Sequence, residues 1–582
     1  MGRKSSAKKK RRIEKQEIQK PQKTKKTKKK LKIPQVPPQK IFGTLLAAIM
    51  LTILITVSTV LFKKAFSPVS LADLLPEKET VAFLEINTNL DHTQLVKAQT
   101  LLEGTEYSVQ ETMMQIEEKL SINISQDIKP WLGRQIGVAE LLLSDLHSVY
   151  FLETTSKKKT EEFLKLFAEN NLSELTTTEA GLHSFTLRHK GENRSLDQAL
   201  YANFLEEYLI ISPSKESIKL LIDSNSEKIA NNDKYQEARS SAPVNKVGFI
   251  FMNFKHSPEI LLQKYGVLTN SPLLSSAIQP FAELFNSEGL SLIAKDEYFV
   301  VDTFMNLNES YLKGNRYITY VENYDADLVG YIPEDADAFW GGEDLEKQTK
   351  RLVALLSEGN QATTQIFEGV LKNYTEKYFG SSVSLEEDIY PLVQNEFAIV
   401  LDKTEDENIY TLILELDDPT DDALKIQKIA NNFISSGAVF EPHVEEHELP
   451  DGTIAKEIVA TPEELVKSED PHGETDVVVY QMETESKNWG VYYSIVDSKA
   501  IISTDKATLE KSLNLALNEA VNSIENSKIY NLHVDPILGN LDEVSYFDIL
   551  SFWPDSKLVK SISTGKEYFS NGITAHYYIY VE

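Results

Sequence analysis

The chain repeats itself in order. Leu74–Ile86 (LLPEKETVAFLEI) is echoed by Tyr331–Trp340 (YIPEDADAFW), and Asp127–Leu143 (DIKPWLGRQIGVAELLL) by Asp388–Asp402 (DIYPLVQNEFAIVLD). Val149–Asn171 matches Ile409–Phe433, Tyr208–Ile222 matches Ala500–Asn514, and Lys246–Phe254 matches Glu543–Phe552. The offset stays near 260 for the first three pairs, then widens to about 290, as one insertion near 450–490 would make it. Five collinear echoes restrict the fold strongly, because whatever one copy adopts the other must adopt too. They divide the chain into a first repeat at 65–312, a linker at 313–320 and a second repeat at 321–582.

Each repeat mixes two periodicities. VAFLEI, IGVAELLL, VYFLET, YLIIS and VGFIFMNF are short, rich in β-branched and aromatic residues, and often alternating, which reads as strands. TEEFLKLFAENN groups Phe163, Leu164, Leu166 and Phe167 on one helical face, and SVQETMMQIEEKL does the same with Met113, Met114, Ile116 and Leu120. Ser212-Pro213 and Thr504-Asp505 look like helix starts. Tight links between successive strands imply antiparallel pairing. The expected class is α+β: two tandem homologous domains, each an antiparallel sheet with helices packed against one face.

Charge is segregated. Residues 1–40 carry 17 Lys/Arg and 2 acids, residues 41–62 carry none, and residues 65–582 carry 41 basic and 86 acidic groups. The uncharged stretch Ile41–Phe62 would span ~33 Å as a helix, enough for a hydrocarbon core of ~30 Å. Its length, the lysines Lys63 and Lys64 directly after it and the lack of an A-x-A site favour a retained anchor over a cleaved signal. The Lys-rich side of such an anchor stays in the cytoplasm. The expected location is therefore the plasma membrane, with the N-terminus cytoplasmic and residues 65–582 outside. Residues 1–40 cannot bury enough apolar surface to fold and should be a disordered basic tail against anionic lipid headgroups. No aromatic residue is interleaved among its lysines, so nucleic acid is not an expected partner. The chain has no Cys, which excludes a disulfide-stapled fold.

LLPEKETVAFLEI, DIKPWLGRQIGVAEL and YLIISPSKESIKLLI, following a single N-terminal anchor, resemble the bacterial domain-of-unknown-function 3352 family over most of residues 70–582. In the second repeat Pro391-Leu392-Val393 replaces Pro130-Trp131-Leu132, a departure from the pattern. The resemblance implies a membrane-anchored envelope protein and brings no catalytic residue with it.

Several motifs carry possible chemistry. His443-Val444-Glu445-Glu446-His447 fits the H-x-x-E-H zinc-peptidase pattern, which needs a helix. The surrounding Pro442 and Leu449-Pro450-Asp451-Gly452 turn read instead as a hairpin strand, where the two histidines stand ~13 Å apart. Ser212–Lys215 and Ser503–Lys506 both fit S-x-x-K at equivalent places, but the S-D-N and K-T-G partners of such a nucleophile are missing from the sequence, and helix N-caps account for the serines. The acidic runs Asp417–Asp422, Asp402–Glu407 and Ser468–Asp476 lack EF-hand spacing and read as solvated surface. Trp131, Trp340, Trp489 and Trp553 read as core or interface anchors. No residue is assigned as catalytic, metal-binding or cofactor-binding. The expected function is a non-catalytic binding or scaffolding role toward an envelope protein or polymer. The alternative is an envelope hydrolase with its site between the two repeats.

Overall fold

Alternating apolar residues lead the chain through strand after strand, and in a computed structural model they assemble into one large antiparallel sheet. The structure describes residues 69–88, 93–103, 109–120, 122–171, 173–178, 181–187, 198–223, 225–254, 285–308, 324, 327–357, 361–404, 407–435, 443–448, 454–459, 466–473, 475–483, 488–517, 541–554, 556, 558–569 and 571–581. The basic tail, the 41–62 segment and the 313–320 linker lie outside the described residues. Among the described residues no helix is long and apolar enough to cross a membrane. Val69–Glu582 makes one unit.

The first ten strands are β1 (Thr80–Asn87), β2 (Leu132–Leu142), β3 (Leu146–Thr154), β4 (Thr176–Thr177), β5 (His183–Leu187), β6 (Gln198–Leu205), β7 (Tyr208–Ser212), β8 (Gly248–Asn253), β9 (Phe285–Ala294) and β10 (Tyr298–Leu307). Their hydrogen-bonded order is β4-β5-β6-β7-β3-β2-β1-β8-β9-β10. After them come β11 (Ala338–Glu343), β12 (Glu396–Lys403), β13 (Asn408–Glu415), β14 (His443–Glu448), β15 (Ile454–Val459), β16 (Val466–His472), β17 (Thr475–Glu483), β18 (Asn488–Val496), β19 (Lys499–Ser503), β20 (Glu543–Asp548), β21 (Val559–Tyr568) and β22 (Gly572–Val581). Their order is β16-β17-β18-β19-β13-β12-β11-β20-β21-β22, the same path walked again. The hairpin β14–β15 stands apart as a two-stranded sheet and has no counterpart among the described residues before it.

Register agrees as well as order. Phe83 faces Ala139 on one side and Phe251 on the other, as Phe339 faces Val400 and Tyr546. Outward from there, Phe251, Gly289 and Phe304 lie abreast, as do Tyr546, Ser563 and Tyr578. The two sets meet where β10 pairs antiparallel with β22, so the sheet runs on from one half into the other instead of closing two separate domains. On this seam Asp302 lies opposite His576, and by the register just traced these are each other's equivalents. Equivalent strands that pair antiparallel are related by a local two-fold axis, and this hydrogen-bonded pair, Nδ1 to Oδ1 at 2.7 Å, sits on it.

Helices cover both faces of the sheet rather than one. Neighbouring strand residues point to opposite faces. Ile210 packs with Ile218 and Leu221 of the Lys215–Asp223 helix, while the adjacent Leu209 packs with Phe163, Leu164 and Phe167 of the Lys157–Asn170 helix. The second half does the same: Ile501 meets Leu509 and Leu513 of the Lys506–Leu517 helix, and Ala500 meets Ile426 and Ala430 of the Pro419–Ser435 helix. Because both faces of these inner strands are apolar, one helical layer would leave half of that surface in water.

Short devices repeat too. A single π-helical turn precedes β2 at Ile124–Ile128 and β12 at Leu385–Ile389. Asn123 and Ser384 enter them, each accepting from the backbone N–H three residues on and donating its own N–H to Asp127 or Asp388 at 2.7 and 2.8 Å.

Candidate pocket on the second half

A pocket of about 590 Å³ opens on the second half of the sheet, flanked by the Leu345–Ser357 helix. Its floor and walls follow from register. Trp340 on β11 lies between Ile399 on β12 and Ser545 on β20, Leu401 opposes Tyr410, and Ala338 opposes Phe547. Alternation puts Trp340, Ile399, Leu401, Tyr410, Ser545 and Phe547 on one face. From the helix, Gln348, Arg351 and Leu352 complete the lining. Trp340 sits edge-on to Phe397 with centroids 5.1 Å apart. Tyr410 and Leu352 are exposed at the rim.

The deep end is ionic. Glu543 and Lys566 are directly opposed across β20 and β21, with Nζ to Oε1 at 2.5 Å. The Lys566 ammonium stays charged: burial opposes its proton, but the carboxylate of Glu543 outweighs that and raises its pKa. Arg351 is only 6% exposed and lays its guanidinium 3.9 Å over the Tyr568 ring. Asp542, behind Glu543, accepts the Tyr568 backbone N–H at 2.7 Å, and burial pushes its carboxyl up to about 6. The Gln348 amide nitrogen donates to Glu343 O at 2.9 Å, and its Oε1 is a buried acceptor without a partner. This set of groups can hold an apolar body and one polar end. The Ser545 hydroxyl shares a hydrogen bond with Thr564, and the Lys566 ammonium donates to Glu543.

The motifs singled out in the sequence lie elsewhere. His443–Glu448 is a strand paired with Ile454–Val459, the hairpin its flanking turn implied and not the helix that zinc chemistry requires. Ser212 and Ser503 end their strands and are buried. The caps stand two residues later: Ser214 Oγ accepts from Ser217 N–H, and Asp505 Oδ2 accepts from Thr508 N–H. Ser212 and Ser503 instead accept from the N–H of residues 214 and 505 at 3.0 and 3.1 Å, a turn that leads into the helix. Lys506 is committed to Asp470 at 2.6 Å. Within Asp417–Asp422, Asp418 caps the Pro419–Ser435 helix by accepting from Thr420 and Asp421 N–H, while Asp421 and Asp422 hold Lys425. Trp131 is core, 1% exposed, against Phe163 at 5.1 Å; Trp553 is exposed beside Phe547.

Lys566, Glu543 and Arg351 were not foreseen. They come from three segments up to 215 positions apart, and only strand register makes them neighbours. The strand that carries Lys566, VKSISTGKEY, is polar along most of its length, so nothing in it singles this lysine out.

A model of a family described as "Protein of unknown function (DUF3352)" matches residues 41–564. No curated protein matches. Solved structures similar to this chain include crystal form III of TP0453, at 9% identity over 42% of this chain and 81% of that one with a TM-score of 0.24. Crystal form IV of TP0453 is similar at 10% identity over 39% and 76%, with a TM-score of 0.23. A likeness of this size carries no argument.

Proposed function

We propose that this chain, which belongs to the DUF3352 family, is a single-pass membrane protein of the bacterial envelope that binds a small molecule with an apolar body and performs no catalysis. Residues 41–62 are the anchor, the Lys-rich tail lies against anionic headgroups inside, and the acidic remainder is a duplicated domain outside. The matching strand orders and registers support duplication.

The observation that carries the binding role is the pocket itself. Its volume of about 590 Å³ lies within the ~300–1,000 Å³ of small-molecule sites, and its apolar walls with a few converging polar groups are the usual makeup of one. The hydrolase alternative placed its site between the halves. There the described seam offers Asp302 with His576, the tilted rings of Tyr298, Tyr578 and Tyr580, and the buried Ser291 opposite Asp302 on β9, in a row that puts Asp302 rather than His576 next to the serine.

The test is extraction of the full chain, purified from membranes, followed by mass spectrometry of what dissolves. A small apolar molecule should accompany the native protein and be depleted from Leu352→Arg, which puts a charge at the rim. Equal recovery from both proteins would sink the binding role. Protease treatment of intact spheroplasts should remove the region after residue 69; its survival would reverse the orientation.

A further inference from the structure

We infer that the pocket takes a free amphiphile carrying one anionic group, a long-chain carboxylic acid or its like, with the anion on Lys566; this rests on the binding role proposed above. Walls of Trp340, Ile399, Leu401, Tyr410 and Phe547 supply apolar surface up to the ionic end at Glu543 and Lys566. The polar groups gather around Glu543 and Lys566, and against the apolar walls an extended peptide would leave backbone N–H groups unpaired. An alkyl or aryl chain loses nothing on entering.

The head group follows from depth and donor count. Glu543 and Lys566 both line the pocket, and the Lys566 side chain is the more exposed of the two, 37% against 10%. An ammonium has three donors and Glu543 takes one. The remaining donors of Lys566 give the pocket a cationic hydrogen-bonding group on a domain that is otherwise strongly acidic. At the equivalent register in the first half the pair is Gly248 opposite Leu292, and the Thr93–Leu102 helix lays Ala98 and Leu101 beside Leu292. The same place in the same frame is therefore sealed with apolar groups in one copy and opened over a cation in the other.

The experiment uses the full chain in phosphatidylcholine nanodiscs with a diazirine-bearing hexadecanoic acid, and the matching hexadecanol as the uncharged probe. After illumination, labelled peptides are mapped. The acid should label the Leu345–Ser357 helix and β12 about tenfold more than the alcohol, the ratio that one desolvated charge contact supplies. Lys566→Met should bring the acid down to the level of the alcohol, Lys566→Arg should keep the preference, and Leu352→Arg should remove both labels. Unlabelled hexadecanoic acid should compete, and phosphatidylglycerol vesicles should not. Equal labelling by acid and alcohol would overturn the anionic head while leaving the pocket a binding site. No label at these peptides from either probe, or label confined to 41–62, would overturn the binding role as well. Competition by vesicles alone would move the ligand from a free amphiphile to a lipid surface and overturn the inference.

Discussion

At matched positions the two halves of the sheet carry different chemistry on a common frame. In the first, Glu85 is buried and answered: Arg239 pairs with it at 2.5 Å, the Gln135 amide donates to it at 2.9 Å, and Tyr208 donates to Gln135 at 2.6 Å. In the second, Gly341 stands where Glu85 does and Glu396 where Gln135 does. Glu396 accepts the Leu328 N–H at 2.7 Å, and burial pushes its carboxyl up to about 8, so it is mostly protonated at neutral pH. At Gly341 the buried Tyr324 hydroxyl occupies the space of a side chain, and a Cβ there would collide with it. Trp131 against Phe163 is likewise replaced by Leu392. What the halves share is the set of residues that seat helices on strands. What differs is the buried polar content: the first half answers Glu85 with Arg239 and Gln135, whereas the second holds a protonated Glu396 and a Tyr324 hydroxyl buried without a hydrogen-bond partner.

Four measurements can break or sharpen this contrast. The largest effect belongs to Trp131→Ala, which empties a fully buried ring site and leaves the Asp127 carbonyl without its indole donor. It should cost about 3–5 kcal/mol in denaturant unfolding, against about 2–4 kcal/mol for Leu392→Ala at the matched place. Equal losses would mean that the two sites are packed alike despite their sequences.

Next comes pH. The folded pKa of Glu396 is about 8, above its ordinary 4.5. A carboxyl raised by folding holds its proton in the native state longer than in the unfolded chain, so its contribution is fully present below ~4.5 and is lost as pH rises to 8. Asp542 and Asp402, each raised to about 6 by burial, act in the same direction. The protein should therefore melt higher at pH 5 than at pH 8. Glu396→Gln, which installs the first-half residue, should recover ~3 kcal/mol at pH 8 and flatten the profile. A profile that stays as steep in the variant would locate the titration elsewhere.

Third, Glu543→Ala strands Lys566 and should cost about 1–3 kcal/mol. Glu543→Gly with Lys566→Leu recreates the first-half pair and should recover most of that loss. A double variant no better than the single would show that the Leu345–Ser357 helix, not the pair, sets the balance. Smallest is the seam: Asp302→His puts two histidines on the axis and should cost about 1 kcal/mol, while exchange of both residues should restore stability.

How much of this was legible in the sequence depends on distance along the chain. The alternating runs announced the strands, and Phe163, Leu164 and Phe167 announced a helix seated on them, because those signals repeat within a few residues. The echoes at Asp127 and Asp388 marked a real shared device, the π-turn. The start read at Thr504-Asp505 contains its cap, Asp505, whereas the one read at Ser212-Pro213 falls short of Ser214, since a strand-ending serine and a capping residue both present a side-chain oxygen to a backbone N–H. Helices on the second face went unread because an inner strand apolar on both sides looks from sequence like a strand with an imperfect pattern. The pocket was not legible at all: Trp340, Leu352, Tyr410, Phe547 and Lys566 become neighbours only once the register between β11 and β21 is known.

One strand carries the join between the halves. β22 lies between β10 and β21, in the middle of the sheet, and β10 has β9 on its other side. Loss of the β10–β22 ladder would therefore not trim an outer edge. It would bare the hydrogen-bonding rims of two long interior strands, the kind of surface that recruits other chains.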